Sequence, residues 1–182
     1  MTKARGLASI ASATSNNAVI SAIVNTGTLT LPTSTDTLVG RATTDTLSNK
    51  ILLAPEERWT VSATAATGTV QFDASTQGVL YYTSSASGNW TLNVRGNAST
   101  TLNSLLAVGD ALTISFLVVN GATARVHSAL TIDGSAQTVT WSGGTAPSAG
   151  NASSTDVYSF TIVKTAATPT YVVFGAGPVR YA

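Results

Sequence analysis

His127 is the chain's single imidazole, and it lies inside an apolar run, ARVHSALTI (124–132), with no second histidine and no cysteine to complete a metal site. It reads as a partly buried strand residue. Acid–base chemistry would then fall to carboxylates, and the adjacent pair Glu56 and Glu57 is the obvious place to look. In extended chain their side chains diverge, whereas a glycosidase pair must face one bond across about 5 to 9.5 Å. The pair therefore reads as a solvated junction or as partners of Arg58. Asp110, Asp133 and Asp156 fall near strand ends or turns, where Asx turns explain them and a loop calcium site is the alternative use. Phosphate loops, nucleophile elbows and zinc spacings do not occur. No catalytic residue, metal or cofactor is expected.

Binding chemistry has two candidate sources. Trp90, Trp141, Tyr81 and Tyr82 could stack on sugar faces, but Trp90 and Trp141 sit in alternating runs and read as core. The better exposed contact is the long loop GGTAPSAGNASS (143–154), in which Gly143, Thr145, Pro147 and Asn151 are the candidate contact residues for a neighbouring protein or a host surface glycan. The loop has no charge or aromatic anchor, so its contacts would be modest in strength.

The elements that must carry these residues are short runs rich in β-branched and aromatic side chains, separated by turn signals. They are WTVSATA (59–65), TVQFD (69–73), GVLYYT (78–83), NWTLNVRG (89–96), ALTISFLVV (111–119), ARVHSALTI (124–132), QTVTWS (137–142), DVYSFTIVK (156–164) and PTYVVFG (169–175). Ala66-Thr67-Gly68, Ser85 to Gly88, Asn120-Gly121 and Asp133-Gly134 supply the turns between them. Eight or nine strands predict an all-β fold, an antiparallel β-sandwich of jelly-roll type over residues 58–182. Trp90, Leu92 and Val94 alternate with Thr91, Asn93 and Arg95, as in a half-buried strand; Tyr158, Phe160, Ile162 and Lys164 likewise oppose Val157, Ser159, Thr161 and Val163. By contrast, ALTISFLVV and YVVFG are apolar nearly throughout. Such runs are central strands, or strands whose outer face another subunit covers.

Composition narrows the function classes. Only 9% of residues are charged and the net charge is +1, which leaves no electrostatic footprint for nucleic acid. Ser and Thr make up roughly a quarter of the chain, so the surface is neutral and hydroxylated. Low charge suits a surface partly hidden in an assembly, because soluble domains usually carry about 25% charged residues. No apolar run approaches the roughly 18 residues of a spanning helix, so membrane insertion is not expected, and the opening MTKARGLASIASATSNN lacks a strongly apolar signal core.

Residues 1–57 have another texture. ARGLASIAS allows a helical turn or two, and NAVISAIV reads equally as a short strand or a helix. The stretch that follows has too few hydrophobes to fold alone and reads as an extended arm, ordered only against a partner. Within it Thr35-Asp36-Thr37-Leu38-Val39-Gly40-Arg41 returns as Thr44-Asp45-Thr46-Leu47-Ser48-Asn49-Lys50, nine residues later. Three chains wound about one axis could bury Leu38, Leu47 and Ile51 in successive layers. Arg41 or Lys50 could meet a neighbour's Asp36 or Asp45, at most about 1 kcal/mol per exposed pair. The leucine layers would carry the association. A Thr-rich linker with a chance repeat is the alternative.

At this repeat the chain resembles a known family. ATTDTLSNKIL is similar to repeats of bacteriophage tail-fibre and other virion proteins, and MTKARGLASI is similar to the opening of such fibres, especially those of marine and cyanobacterial phages. YYTSSASGNWTLNVRGNASTTLNSLL, LLAVGDALTISFLVVNGAT, the stretch from Ile132 to Thr165 and YVVFGAGPVRYA resemble a β-rich module of those phages' structural proteins. The family's usual Gln-Thr-Lys-Phe-like ending is replaced here by Gly175 to Tyr181. The resemblance implies a non-enzymatic virion structural protein, a homotrimeric fibre or spike subunit, with a capsid decoration protein as the alternative placement. Its implied partners are sister copies and other virion proteins. Lys3, Arg5, Leu7 and Ile10 are the candidate virion-docking residues.

Overall fold

In the computed structural model the residues described are 51, 53–168 and 170–182, so residues 1–50 of the arm, the repeat included, lie outside them. Among its described residues the compact unit Leu52–Ala182 contains ten strands. They are β1 (Trp59–Ala65), β2 (Gly68–Asp73), β3 (Val79–Ser84), β4 (Trp90–Arg95), β5 (Ala111–Asn120), β6 (His127–Ile132), β7 (Ser135–Gln137), β8 (Val139–Trp141), β9 (Ser154–Ala166) and β10 (Thr170–Tyr181). A one-turn helix, α1 (Leu102–Leu105), interrupts the link from β4 to β5. No helix among the described residues is long and apolar enough to cross a membrane.

The strands form two sheets, one of six in the order β1-β3-β5-β9-β10-β8 and one of four in the order β2-β4-β6-β7. The sandwich expected from the sequence is present. Its strand directions differ from the antiparallel expectation, because five neighbour pairs are parallel (β1/β3, β3/β5, β2/β4, β4/β6, β8/β10) and three antiparallel (β5/β9, β9/β10, β6/β7). The cause is the path of the chain. From β1 to β6 successive strands alternate between the two sheets, so each strand pairs with the one two places on and runs in the same direction. A strand of the facing sheet thus supplies the crossover that parallel neighbours need. Turn residues mark where the chain reverses; they do not say whether the next strand pairs with its predecessor or crosses the sandwich. QTVTWS illustrates this, because it divides into β7 in one sheet and β8 in the other.

Register aligns the inward side chains into rows. In the four-stranded sheet Val70, Leu92 and Leu130 are level, as are Phe72, Val94 and Ile132. In the six-stranded sheet Leu80, Phe116 and Tyr158 form one row, and Ile114 and Phe160 stand in the next. All of these are buried. Trp90 is fully buried and meets Phe116 at 4.6 Å and Tyr158 at 5.0 Å, both edge-on, the arrangement aromatic quadrupoles prefer. β10 runs on to Tyr181, so the departing C-terminal segment is strand, paired through Val179 to Val157.

Candidate functional site

The outer face of the six-stranded sheet is built by the same registers, read on alternate residues. Val61 pairs with Tyr81, Tyr81 with Leu117, Leu117 with Val157 and Val157 with Val179, a single apolar row across five strands. Trp59 and Val79 stand on the adjacent row with Ser115, and Thr155 with Tyr181 on the other side. Trp59, Val61, Phe174, Val179 and Tyr181 are each between 50% and 63% exposed. Trp59, Tyr81, Leu117, Val157 and Tyr181 border a shallow depression of about 520 Å³. Further along, Thr113 and Thr161 share a hydroxyl contact at 3.0 Å, and Ser115 and Ser159 one at 3.3 Å. Among the described residues of these rows none is an acid, a lysine or an arginine. An apolar row five strands long, flanked by hydroxyls and with no charged residue among the described residues of these rows, is a surface suited to contact another macromolecule.

His127 occupies a different setting. It faces inward, 7% exposed, between the sheets and against Trp90, Trp141, Tyr158 and Phe160, with ring separations from 5.1 to 6.1 Å. Burial pulls its pKa down from 6.5 to about 4, and a backbone contact at Ala129 opposes the shift in part. The ring is therefore neutral at pH 7. Its Nε2, Trp90 Nε1 and Tyr158 Oη have no hydrogen-bond partner among the described residues. Glu56 and Glu57 are exposed, ahead of β1.

The three aspartates have separate structural roles. Asp110 Oδ2 accepts from Ala107 N at 2.8 Å in the turn before β5. Asp133, in the hairpin between β6 and β7, reaches across to accept from Leu102 N at 2.7 Å and Asn103 N at 3.1 Å, capping α1. Asp156 is fully buried and accepts from Asn120 Nδ2, Asn151 N and Asn151 Nδ2 at 2.9, 2.9 and 2.7 Å. No group of three or more His, Asp or Glu side chains converges as metal ligands among the described residues.

The contact loop divides accordingly. Gly143 and Thr145 are exposed and Pro147 is half-buried, whereas Asn151 is turned toward Asp156 and ties the loop to the sheet. Of the expected trimer-axis residues, Ile51 is exposed at the margin of the described chain; Leu38, Leu47 and the docking residues Lys3, Arg5, Leu7 and Ile10 lie outside it. Comparison with protein-family models, curated proteins and solved structures finds no match. The apolar row was missed as a unit because it exists only once five strands are set in register; the signal in the sequence was the two-sided apolarity of ALTISFLVV and YVVFG, which fits central strands as well as a covered outer face.

Proposed function

We propose that this chain is a non-enzymatic structural subunit of a bacteriophage particle, a short homotrimeric fibre or spike. The observation that carries the reading is the uncharged apolar row from Val61 to Val179. In a chain with 9% charged residues, that row gives sister copies a surface to bury. The T-D-T-L repeat and its likeness to fibre proteins support the same conclusion from the other end of the chain. In this reading the arm docks the trimer to other virion proteins and the sandwiches pack through the six-stranded sheets.

The test is to purify particles and label them with antibody against residues 58–182, viewed by electron microscopy. Label at the tail or its appendages is expected. Label spread over the head would make the chain a decoration protein, and particles free of it would overturn the virion reading.

A further inference from the structure

The outer face of the four-stranded sheet has the opposite chemistry. Gln71, Asn93 and Thr131 share one row there. Asn93 Nδ2 donates to Gln71 Oε1 at 2.7 Å, while Thr131 Oγ1 and Gly134 N donate to Asn93 Oδ1 at 2.7 and 2.9 Å. Asp73 and Arg95 occupy the next level, with Arg95 Nε donating to Asp73 Oδ1 at 2.6 Å. The loop after β4 folds back through Asn97 N to Thr100 O at 2.9 Å, and the Asp133 carboxylate closes the other side. Between them lies a shallow, open cleft of about 420 Å³.

Three features of this cleft select a ligand class. Gln71, Asn93, Arg95, Asn97 and Asp133 are already held in place by protein hydrogen bonds, so little ordering of them is required on binding. The bonds among the described residues nevertheless leave Gln71 Nε2 and the two terminal nitrogens of Arg95 as donors, beside hydroxyl groups of Ser99 and Thr100 and remaining lone pairs of Asp133. Charge is balanced or slightly negative, because Arg95 is paired with Asp73 and Asp133 adds a second carboxylate, which is a poor setting for a phosphate or sulfate. Among the described residues no aromatic ring lines the cleft, so neither a nucleobase nor a sugar face has a ring to stack on, and a ligand here is held by hydrogen bonds alone. A mixed array of donors and acceptors suits a ligand whose every group is both, and hydroxyls are that group.

We propose that this cleft binds a neutral polyhydroxylated ligand, a glycan contacted through one or two sugar units. The site is separate from the loop at residues 143–154 and from the apolar row, and it stands whether or not the chain assembles through the six-stranded sheet.

The full-length protein, isotopically labelled, would be titrated with glucose, galactose, mannose, N-acetylglucosamine and their β-linked disaccharides, with sodium sulfate as the anion arm. Amide resonances report the position of binding. The expected result is that at least one sugar shifts the side-chain amides of Gln71 and Asn93 and the backbone of Asn97 and Gly134. Gln71→Ala, an exposed position, would weaken that sugar about tenfold, one lost hydrogen bond to a charged or polar group. Arg95→Gln would do the same. Unchanged melting temperatures would show that both variants fold. The proposal is overturned if no sugar moves these resonances, if sulfate moves them instead, or if sugars move Trp59 and Tyr181 on the other sheet. An outer-face variant, Val61→Lys, should bind the sugar unchanged, which separates failure here from failure of the assembly reading.

Discussion

Asp156 and Lys164 stand at opposite ends of the inward face of β9, both buried and roughly 26 Å apart at the usual rise per residue. Neither compensates the other. The carboxylate is satisfied by Asn120 and Asn151, and the ammonium donates to Asn103 O at 2.8 Å and Leu106 O at 2.7 Å, at the end of α1. Tyr158, Phe160 and Ile162 fill the face between them. Each ion thus fastens one loop cluster to a rim of the sandwich.

Removing either ion should therefore destabilise the fold through unpaired partners. Lys164→Met keeps the apolar stem and leaves two carbonyls without their donor, and Asp156→Ala strands the Asn120 and Asn151 amides. A loss of about 2 to 3 kcal/mol is expected for each in urea unfolding, against less than about 0.5 kcal/mol for the exposed Glu56→Ala. Equal stability of all three variants would show the two buried ions to be idle.

His127 predicts an acid sensitivity with a definite sign. Its pKa is about 4 in the fold and 6.5 when unfolded, so the unfolded chain takes up the proton first. Stability is complete above pH 6.5 and falls as the pH drops toward about 4, by about 2 kcal/mol on reaching pH 5. His127→Phe preserves a ring among Trp90, Trp141 and Phe160 and removes the titration. Urea midpoints of the two proteins at pH 8 and pH 5 should converge or cross as the wild type weakens; parallel curves would contradict a buried neutral imidazole.

Gly150 predicts a steric cost at the same rim as Asp156. A Cβ there would strike Arg125 O and come within 2.7 Å of Asp156 Oδ2, whereas one at Gly78 would meet nothing within 4 Å. Gly150→Ala should lose about 1 to 3 kcal/mol. Gly78→Ala should be neutral or slightly stabilising, since it restricts the unfolded chain. Thermal melts of the two alanine variants check the contrast.

The strands were legible because their signals are local. WTVSATA matches β1 at both ends, and the alternation through Trp90, Leu92 and Val94 predicts the buried face of β4 correctly. Parity even places Lys164 with the core side chains of β9, though only the structure supplies the carbonyls that receive its ammonium. What could not be read was long-range. Whether Gly68 or Asn120-Gly121 leads to a hairpin or to a crossing depends on which sheet has room for the next strand, a property of the whole core. Asp133 shows the same limit, since a turn residue in sequence becomes the cap of a helix about thirty residues earlier in the chain. Asn93 alternates as an outward residue and is nonetheless buried, because Gln71, Thr131 and Gly134 close over it.

The central claim is that the apolar row across the six-stranded sheet is buried between copies of the chain. Val61 and Val179 stand at its two ends, exposed, so Val61→Lys with Val179→Lys should leave the sandwich folded. In an assembly, each lysine would place a charge against apolar surface, at a cost on the order of 3 kcal/mol per site. The decisive measurement is the solution mass by light scattering of the full chain and of this double variant. A mass near three times 18.4 kDa for the wild type and near 18.4 kDa for the variant is predicted. A wild-type monomer, or a trimer that survives both lysines, would contradict the account.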